Sequence, residues 1–197
     1  MIKFIGVYDY TVILTYVNLF AGILGIVNAS AGNYTTAIIC LLASGISDAF
    51  DGAVARTKKN RTDDEKSFGI QLDSLCDVVS FGIAPALLCY YMGVDGILGL
   101  IIICFYCMCG TSRLGFFNVL ETKRQKKETG CAKSYRGLPI TSISIIFPIV
   151  YLLKNLVTKK VFTIILHIML VIVAFLFIID FSIKKFDFGK FFPKSKK

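Results

Sequence analysis

Six long apolar segments dominate this chain of 197 residues. A helix needs about 20 apolar residues to cross the hydrocarbon core of a bilayer, where backbone polar groups must be satisfied within the helix. With 55% hydrophobic residues and a mean hydropathy of +0.70, the chain is too apolar for a soluble domain of this length. The sequence therefore predicts an all-α polytopic membrane protein, a single domain over residues 1–197. Its six transmembrane helices are expected at about 11–29, 34–56, 68–91, 97–120, 138–156 and 161–183.

The net charge of +9 belongs to the loops and to the C-terminal tail. Basic loops beside apolar segments mark the cytoplasmic side and anionic lipid headgroups, so we expect membrane lipid and no nucleic acid as a partner. Six spans place both termini on one side. If that side is the cytoplasm of a cell membrane protein, every Lys and Arg faces it except Lys154, Lys159 and Lys160.

Both ends of the chain predict contact with the membrane surface. Residues 1–10 form a short amphipathic stretch, which we expect to be an interfacial helix. The tail 184–197 is basic with interleaved Phe and is expected to rest on headgroups.

Four carboxylates interrupt the second and third apolar segments: Asp48, Asp51, Asp73 and Asp77. Helical periodicity places each pair on one stripe of its helix, and the two stripes can face each other. An uncompensated Asp within a bilayer costs about 3 kcal/mol, so cations must neutralise the cluster. Hard oxygen ligands suit divalent ions, and a pair of ions would balance the charge; Mg²⁺ or Mn²⁺ is expected, with Ca²⁺ also compatible. Asp51 lies about 7.5 Å inside the predicted cytoplasmic end, which places the site near the cytoplasm.

The acidic stretch resembles the signature of the CDP-alcohol phosphatidyltransferase family. That signature has two Asp three apart, then Gly, Ala-Arg, a spacer, Gly, and two Asp four apart. The matching residues here are Asp48, Asp51, Gly52, Ala55, Arg56, Gly69, Asp73 and Asp77. The spacer 57–68 is longer than the roughly eight residues usual in the family. The resemblance implies that the four Asp hold two divalent metals and that Asp77 is also the general base.

The resemblance further implies a binding site for a CDP-linked lipid. Its expected residues are Thr15, Asn18, Asp48, Gly52, Arg56 and Gly69. Thr15 and Asn18 can instead hydrogen-bond between helices, and the two glycines can instead serve close helix packing.

Three further segments resemble the phosphatidylserine synthase branch of this family. They are the run from Asp73 to Pro85, the run Arg113-Leu-Gly-Phe-Phe-Asn118, in which Phe116 stands where Arg is usual, and Gly137-Leu-Pro. Pro85 is also expected to kink or locally unwind the third span. The likeness implies transfer of a phosphatidyl or archaetidyl group from CDP-diacylglycerol or CDP-archaeol to L-serine, with release of CMP, by a homodimer.

A serine carboxylate needs a cationic partner, and basic groups near the cytoplasmic helix ends can provide it. The expected serine-binding residues are Arg113, Asn118, Lys133 and Arg136, although the positive-inside rule alone also explains the last two.

Other functions remain open at this point. Inositol phosphate, glycerol phosphate or another alcohol could replace serine as the acceptor. A transporter could also place acids in its spans, but these acids crowd onto two adjacent helices at one membrane face, and we find no inverted repeat.

Overall fold

A computed structural model of the chain describes residues 5–55, 57–58, 60–125 and 134–184. Within these ranges the fold is almost entirely helical. The helices are α1 (Ile13–Ser30), α2 (Tyr34–Ala55), α3 (Asp63–Asp77), α4 (Ala84–Tyr91), α5 (Gly96–Gln125), α6 (Ile143–Tyr151) and α7 (Lys159–Ile178), and the strands are β1 (Ser134–Arg136) and β2 (Ser182–Lys184). Short 3₁₀ segments cover Tyr10–Val12, Ile140–Ser142 and Leu152–Asn155.

Within the described residues, five helices are long and apolar enough to cross a membrane, so the predicted integral membrane protein with an all-α fold is confirmed. They are Tyr10–Ser30, Tyr34–Ala55, Asp63–Tyr91, Gly96–Thr122 and Lys159–Ile178. The predicted span 138–156 corresponds to a shorter apolar helix, Ile140–Asn155. Pro139 precedes its first turn and Pro148 lies inside it, and the last turn relaxes into a 3₁₀ segment. Proline cannot donate a backbone hydrogen bond, which limits this helix at its start and in its middle.

The predicted start of the third span and end of the last span differ from the structure because local hydrogen bonds override the polarity pattern. The third span begins at Asp63, inside the expected polar loop, since Thr62 and Glu65 form a reciprocal capping box there. The last span ends at Ile178, where Ile179 turns to extended backbone and leads to β2.

The expected interfacial helix is not formed in its described part, residues 5–9. Gly6 has a φ of 116°, which interrupts any helix, and Asp9 caps the 3₁₀ turn that starts at Tyr10. Residues 1–4 and the tail 185–197 lie outside the described residues.

Strands β1 and β2 form an antiparallel pair that ties the start of the α6 region to the end of α7. Gly137, at φ 73°, continues this contact by donating its N–H to the Phe181 carbonyl at 2.7 Å. The sequence did not predict these strands, which are three residues long.

Helices α3 and α4 are joined into one continuous helix by a π-helical segment, Val78–Ile83, which ends just before Pro85. Pro85 cannot donate to the Phe81 carbonyl one turn earlier. The buried Tyr106 hydroxyl donates to that carbonyl instead, at 2.7 Å. The expected disturbance around Pro85 is therefore present, and protein covers the freed acceptor.

Helix α1 packs against α2 and against the π-helical segment, and α5 packs along α7. The approach of α1 is close, because a Cβ on Gly22 would lie 2.9 Å from Ser80 Cα. This packing brings the polar residues of α1 to the acidic faces of α2 and α3.

Candidate functional site

The two acidic stripes face each other, as their spacing predicts. Helix α2 supplies Asp48 and Asp51, and α3 supplies Asp73 and Asp77. One carboxylate oxygen each from Asp48, Asp73 and Asp77 lies within 4.8 Å of the other two. Asp51 is buried and its carboxyl group contacts that of Asp73, while the carboxyl groups of Asp48 and Asp77 contact each other. All four side chains thus form one acidic cluster.

This cluster has the properties of a cation site. Ionised carboxylates only accept hydrogen bonds and repel one another, so they cannot satisfy each other. Oδ1 of Asp73 is buried and has no hydrogen-bond partner among the described residues. The ion pairs of the described residues include none of Asp48, Asp73 and Asp77. Several hard oxygen donors at this separation, one of them unsatisfied, fit a divalent ion.

Asn18 on α1 is the central polar residue beside the cluster. Its side chain is fully buried, and its amide nitrogen donates to Asp77 Oδ1 at 2.9 Å. The Ser44 hydroxyl contacts both oxygens of Asn18, and the Ser80 hydroxyl donates to the Asn18 carbonyl at 3.2 Å. Because Ser44 donates to the side-chain oxygen of Asn18, the NH₂ end of the amide is the end that faces Asp77.

Of the residues expected to bind the CDP-linked lipid, Thr15 and Asn18 contact carboxylates in the structure. The Thr15 hydroxyl donates to Asp51 Oδ2 at 3.3 Å. Gly52 follows Asp51 on α2 and is half-buried. Gly69 lies one turn before Asp73, while Arg56 lies outside the described residues.

Of the four residues expected to bind serine, the structure describes the side chains of Arg113 and Asn118. Asn118 lies beside the acidic helix, since Ser74 Oγ donates to its Oδ1 at 2.7 Å. Arg113 is buried, its Nε donates to the Leu138 carbonyl at 3.1 Å, and its guanidinium stacks on Phe117. Arg136 lies in β1, where only the backbone is described, and Lys133 lies outside the described residues. Phe116, at the position of the usual Arg, is exposed.

Sequence reasoning missed two polar residues of this region. Ser44 lies four residues before Asp48, so helical spacing could have added it to the acidic stripe. Arg61 lies in the lengthened spacer, and nothing in the sequence pattern distinguished it from the neighbouring basic residues.

The sequence model of the CDP-alcohol phosphatidyltransferase family matches residues 10–179 of the chain. The chain belongs to this family. Members of the CDP-alcohol phosphatidyltransferase family use divalent metal ions, in agreement with the acidic cluster.

Curated relatives within the family are similar over most of the chain. Archaetidylserine synthase of Methanothermobacter thermautotrophicus is 36% identical over 141 residues, which are 71% of this chain and 56% of the relative. CDP-diacylglycerol–serine O-phosphatidyltransferase of Helicobacter pylori is 33% identical over 150 residues, 75% of this chain and 59% of the relative. The enzyme of that name from Methanocaldococcus jannaschii is 36% identical over 138 residues, 70% and 56% respectively. The chain thus spans a little over half the length of these relatives. No solved structure matches it.

Proposed function

We propose that this protein transfers a phosphatidyl or archaetidyl group from a CDP-linked lipid to the hydroxyl of L-serine and releases CMP. The observation that carries the proposal is the convergence of Asp48, Asp73 and Asp77 within 4.8 Å inside a membrane protein. The relatives named above supply the substrates, since their names specify serine and a CDP-diacylglycerol or archaetidyl group.

The four carboxylates are proposed to hold two divalent cations, Mg²⁺ or Mn²⁺, with Ca²⁺ as a further possibility. Bound there, the ions would neutralise the negative charge that develops on the phosphates as CMP departs. The unsatisfied oxygen of Asp73 and the facing pairs on α2 and α3 support this assignment.

Asp77 is proposed to be the general base. A serine hydroxyl is a weak nucleophile at neutral pH and needs an acceptor for its proton during attack. The serine oxygen forms a bond to the lipid-linked phosphorus, the bond from that phosphorus to the bridging oxygen breaks, and this oxygen leaves with CMP. The serine proton passes to Asp77. A single displacement of this kind inverts the configuration at phosphorus.

Asn18 supports this role because its amide holds one oxygen of Asp77 at 2.9 Å. A hydrogen bond to a carboxylate fixes the direction of its lone pairs. Thr15 holds Asp51 in the same way from one turn earlier on α1.

Substrate contacts complete the proposal. Thr15, Asn18, Asp48, Gly52, Arg56 and Gly69 are proposed to line the site of the CDP-linked lipid. Arg113, Asn118, Lys133 and Arg136 are proposed to bind serine. For Arg113 the buried guanidinium supports a charged contact, although one of its donors already binds the Leu138 carbonyl.

Orientation and assembly follow from the same reasoning. We propose that the site and both termini face the cytoplasm, because the basic loops lie on that side of the predicted topology. We also propose a homodimer, which size-exclusion chromatography with light scattering would test.

The test is release of CMP from a CDP-linked lipid by the purified protein with Mg²⁺ or Mn²⁺. Serine, inositol phosphate and glycerol phosphate are compared as acceptors, and an Asp77→Asn variant measures background hydrolysis. We expect release that depends on serine and yields a serine phospholipid. Release with a different acceptor alone would reassign the acceptor, and no release with any acceptor would refute the transferase assignment.

A further inference from the structure

The spacer between the two acidic helices is held in place at both of its ends. Lys58 bridges Asp9, at 2.7 Å, and Glu65, at 2.9 Å. The Thr57 hydroxyl lies 3.2 Å from the Tyr10 hydroxyl. The ammonium group of Lys58 lowers the pKa of Asp9 to about 2, so this ion pair persists at every pH near neutrality. The spacer is therefore anchored to the start of α1 as well as to α3.

This anchoring places Arg61 over Gly69. A Cβ on Gly69 would lie 2.6 Å from Arg61 Nη2, so the guanidinium would have to move from this position if residue 69 carried a side chain. Nη2 also donates to the Glu65 carbonyl at 3.0 Å. Gly69 lies on the stripe of Asp73, one turn or about 6 Å along the helix axis. The guanidinium thus lies at Gly69, about one helical turn before Asp73 on α3.

The guanidinium has unused capacity for hydrogen bonds. Arg61 Nε is buried and has no partner among the described residues, and the ion pairs of those residues do not include Arg61. A charged donor that is desolvated and unpaired is unfavourable unless a ligand completes it. The planar fork of arginine matches two phosphate oxygens.

We propose that Arg61, supplied by the lengthened spacer, binds a phosphate of the nucleotide-linked lipid. This inference rests on the proposed function. It assigns Gly69 a specific task, which is to make room for Arg61, where the family resemblance implied that the glycine admits the nucleotide itself.

The first test measures binding of CDP, without turnover, by calorimetry on the purified full chain with Mn²⁺. Arg61→Ala is expected to weaken CDP binding about 10- to 100-fold, as for the loss of a charged hydrogen bond. Arg61→Lys should recover part of the affinity, because it keeps the charge and loses the fork. Lys66→Ala is the matched control, since it removes a cation whose ion pair among the described residues is with Asp63, and it should leave affinity unchanged.

The second test is a double-mutant cycle with Gly69→Ala. If Gly69 acts through Arg61, Gly69→Ala weakens CDP binding in the wild-type chain and has little further effect in the Arg61→Ala chain. Equal losses in both backgrounds would show that the nucleotide contacts Gly69 directly and would overturn the inference.

The remaining outcomes separate this inference from the proposed function. If the wild-type chain turns over and Arg61→Ala binds CDP as tightly as wild type, the role of Arg61 is overturned and the proposed function stands. If Arg61→Ala instead reduces only the binding of vesicles rich in phosphatidylglycerol, the bound phosphate is that of a bulk headgroup and the inference also fails. A wild-type chain that neither binds CDP nor releases CMP would overturn both.

Discussion

Asn18 can have either of two roles: it can bind the CDP-linked lipid, as the family resemblance implies, or it can orient Asp77, which it contacts in the structure. Replacing Asn18 distinguishes the two roles. Asn18→Ala removes the hydrogen bond to Asp77 Oδ1. A hydrogen bond to a charged group is worth about 1.5–3 kcal/mol, and each 1.36 kcal/mol of barrier changes a rate tenfold. If the amide orients the base, kcat should fall by about 10- to 150-fold while the KM for the CDP-linked lipid changes little.

The assay is steady-state CMP release with the serine and lipid concentrations varied separately. Asn28→Ala is the matched control, because Asn28 lies on the same helix, is half-buried, and its side-chain amide donates to the Leu24 carbonyl of that helix. It should keep wild-type kcat and KM. Ser44→Ala should show a smaller loss of kcat than Asn18→Ala, since it leaves the amide in place but frees its orientation.

A rise in the KM for the CDP-linked lipid with unchanged kcat in Asn18→Ala would refute this reasoning. It would mean that Asn18 contacts the nucleotide and that the hydrogen bond to Asp77 does not matter during turnover. Measuring CDP affinity by calorimetry distinguishes either result from a loss of the folded protein.

Three further predictions concern the proposed roles. EDTA should abolish activity, and Mg²⁺ or Mn²⁺ should restore it. Asp73→Asn should lose Mn²⁺ affinity in calorimetry. Undiminished turnover in EDTA would contradict the metal site. Asp77→Asn should retain binding of the CDP-linked lipid and lose nearly all turnover, whereas His167→Ala should remain active, because His167 lies on α7 and contacts the Thr163 carbonyl of its own helix. Arg113→Ala should raise the KM for serine about 10- to 150-fold more than that for the CDP-linked lipid. It should also lower the melting temperature, because the hydrogen bond to the Leu138 carbonyl is lost. Equal effects on the two KM values would indicate a structural role alone.

Helical periodicity was sufficient to predict the acidic cluster. Residues four apart repeat on one helix face, so Asp73 and Asp77 had to lie on one stripe, and the need for a neutralising cation favoured a second acidic stripe facing it. The hydrogen-bond partners of the cluster were harder to predict from the sequence, since the contact between Ser44 and Asn18 depends on how closely α1 packs against α2.

Fold details that depend on a few local hydrogen bonds escaped the sequence analysis. The capping box of Thr62 and Glu65 was readable, but the charged residues around it favoured a loop. Strands β1 and β2 are too short to show an alternating pattern. Pro85 predicted a disturbed helix, yet the proline pattern does not specify whether the helix bends or widens by a π turn.

The π-helical segment Val78–Ile83 sets the rotation of one half of a membrane-crossing helix relative to the other. Its wide hydrogen bonds, such as that from the Ala84 N–H to the Val79 carbonyl, accommodate an extra residue without lengthening the span by a full helical step. Deleting one residue there would restore a regular α-helix and leave the following residues facing nearly the same way, whereas deleting one residue from a regular α-helical stretch turns everything beyond it by about 100° about the axis. A deletion of the second kind, in the first turn of α4, would rotate Leu88 and Cys89 out of the core in which they are buried. The π-helical segment, like the lengthened spacer 57–68, is therefore a place where this chain can differ in length by one residue while its acidic and packing faces stay in phase.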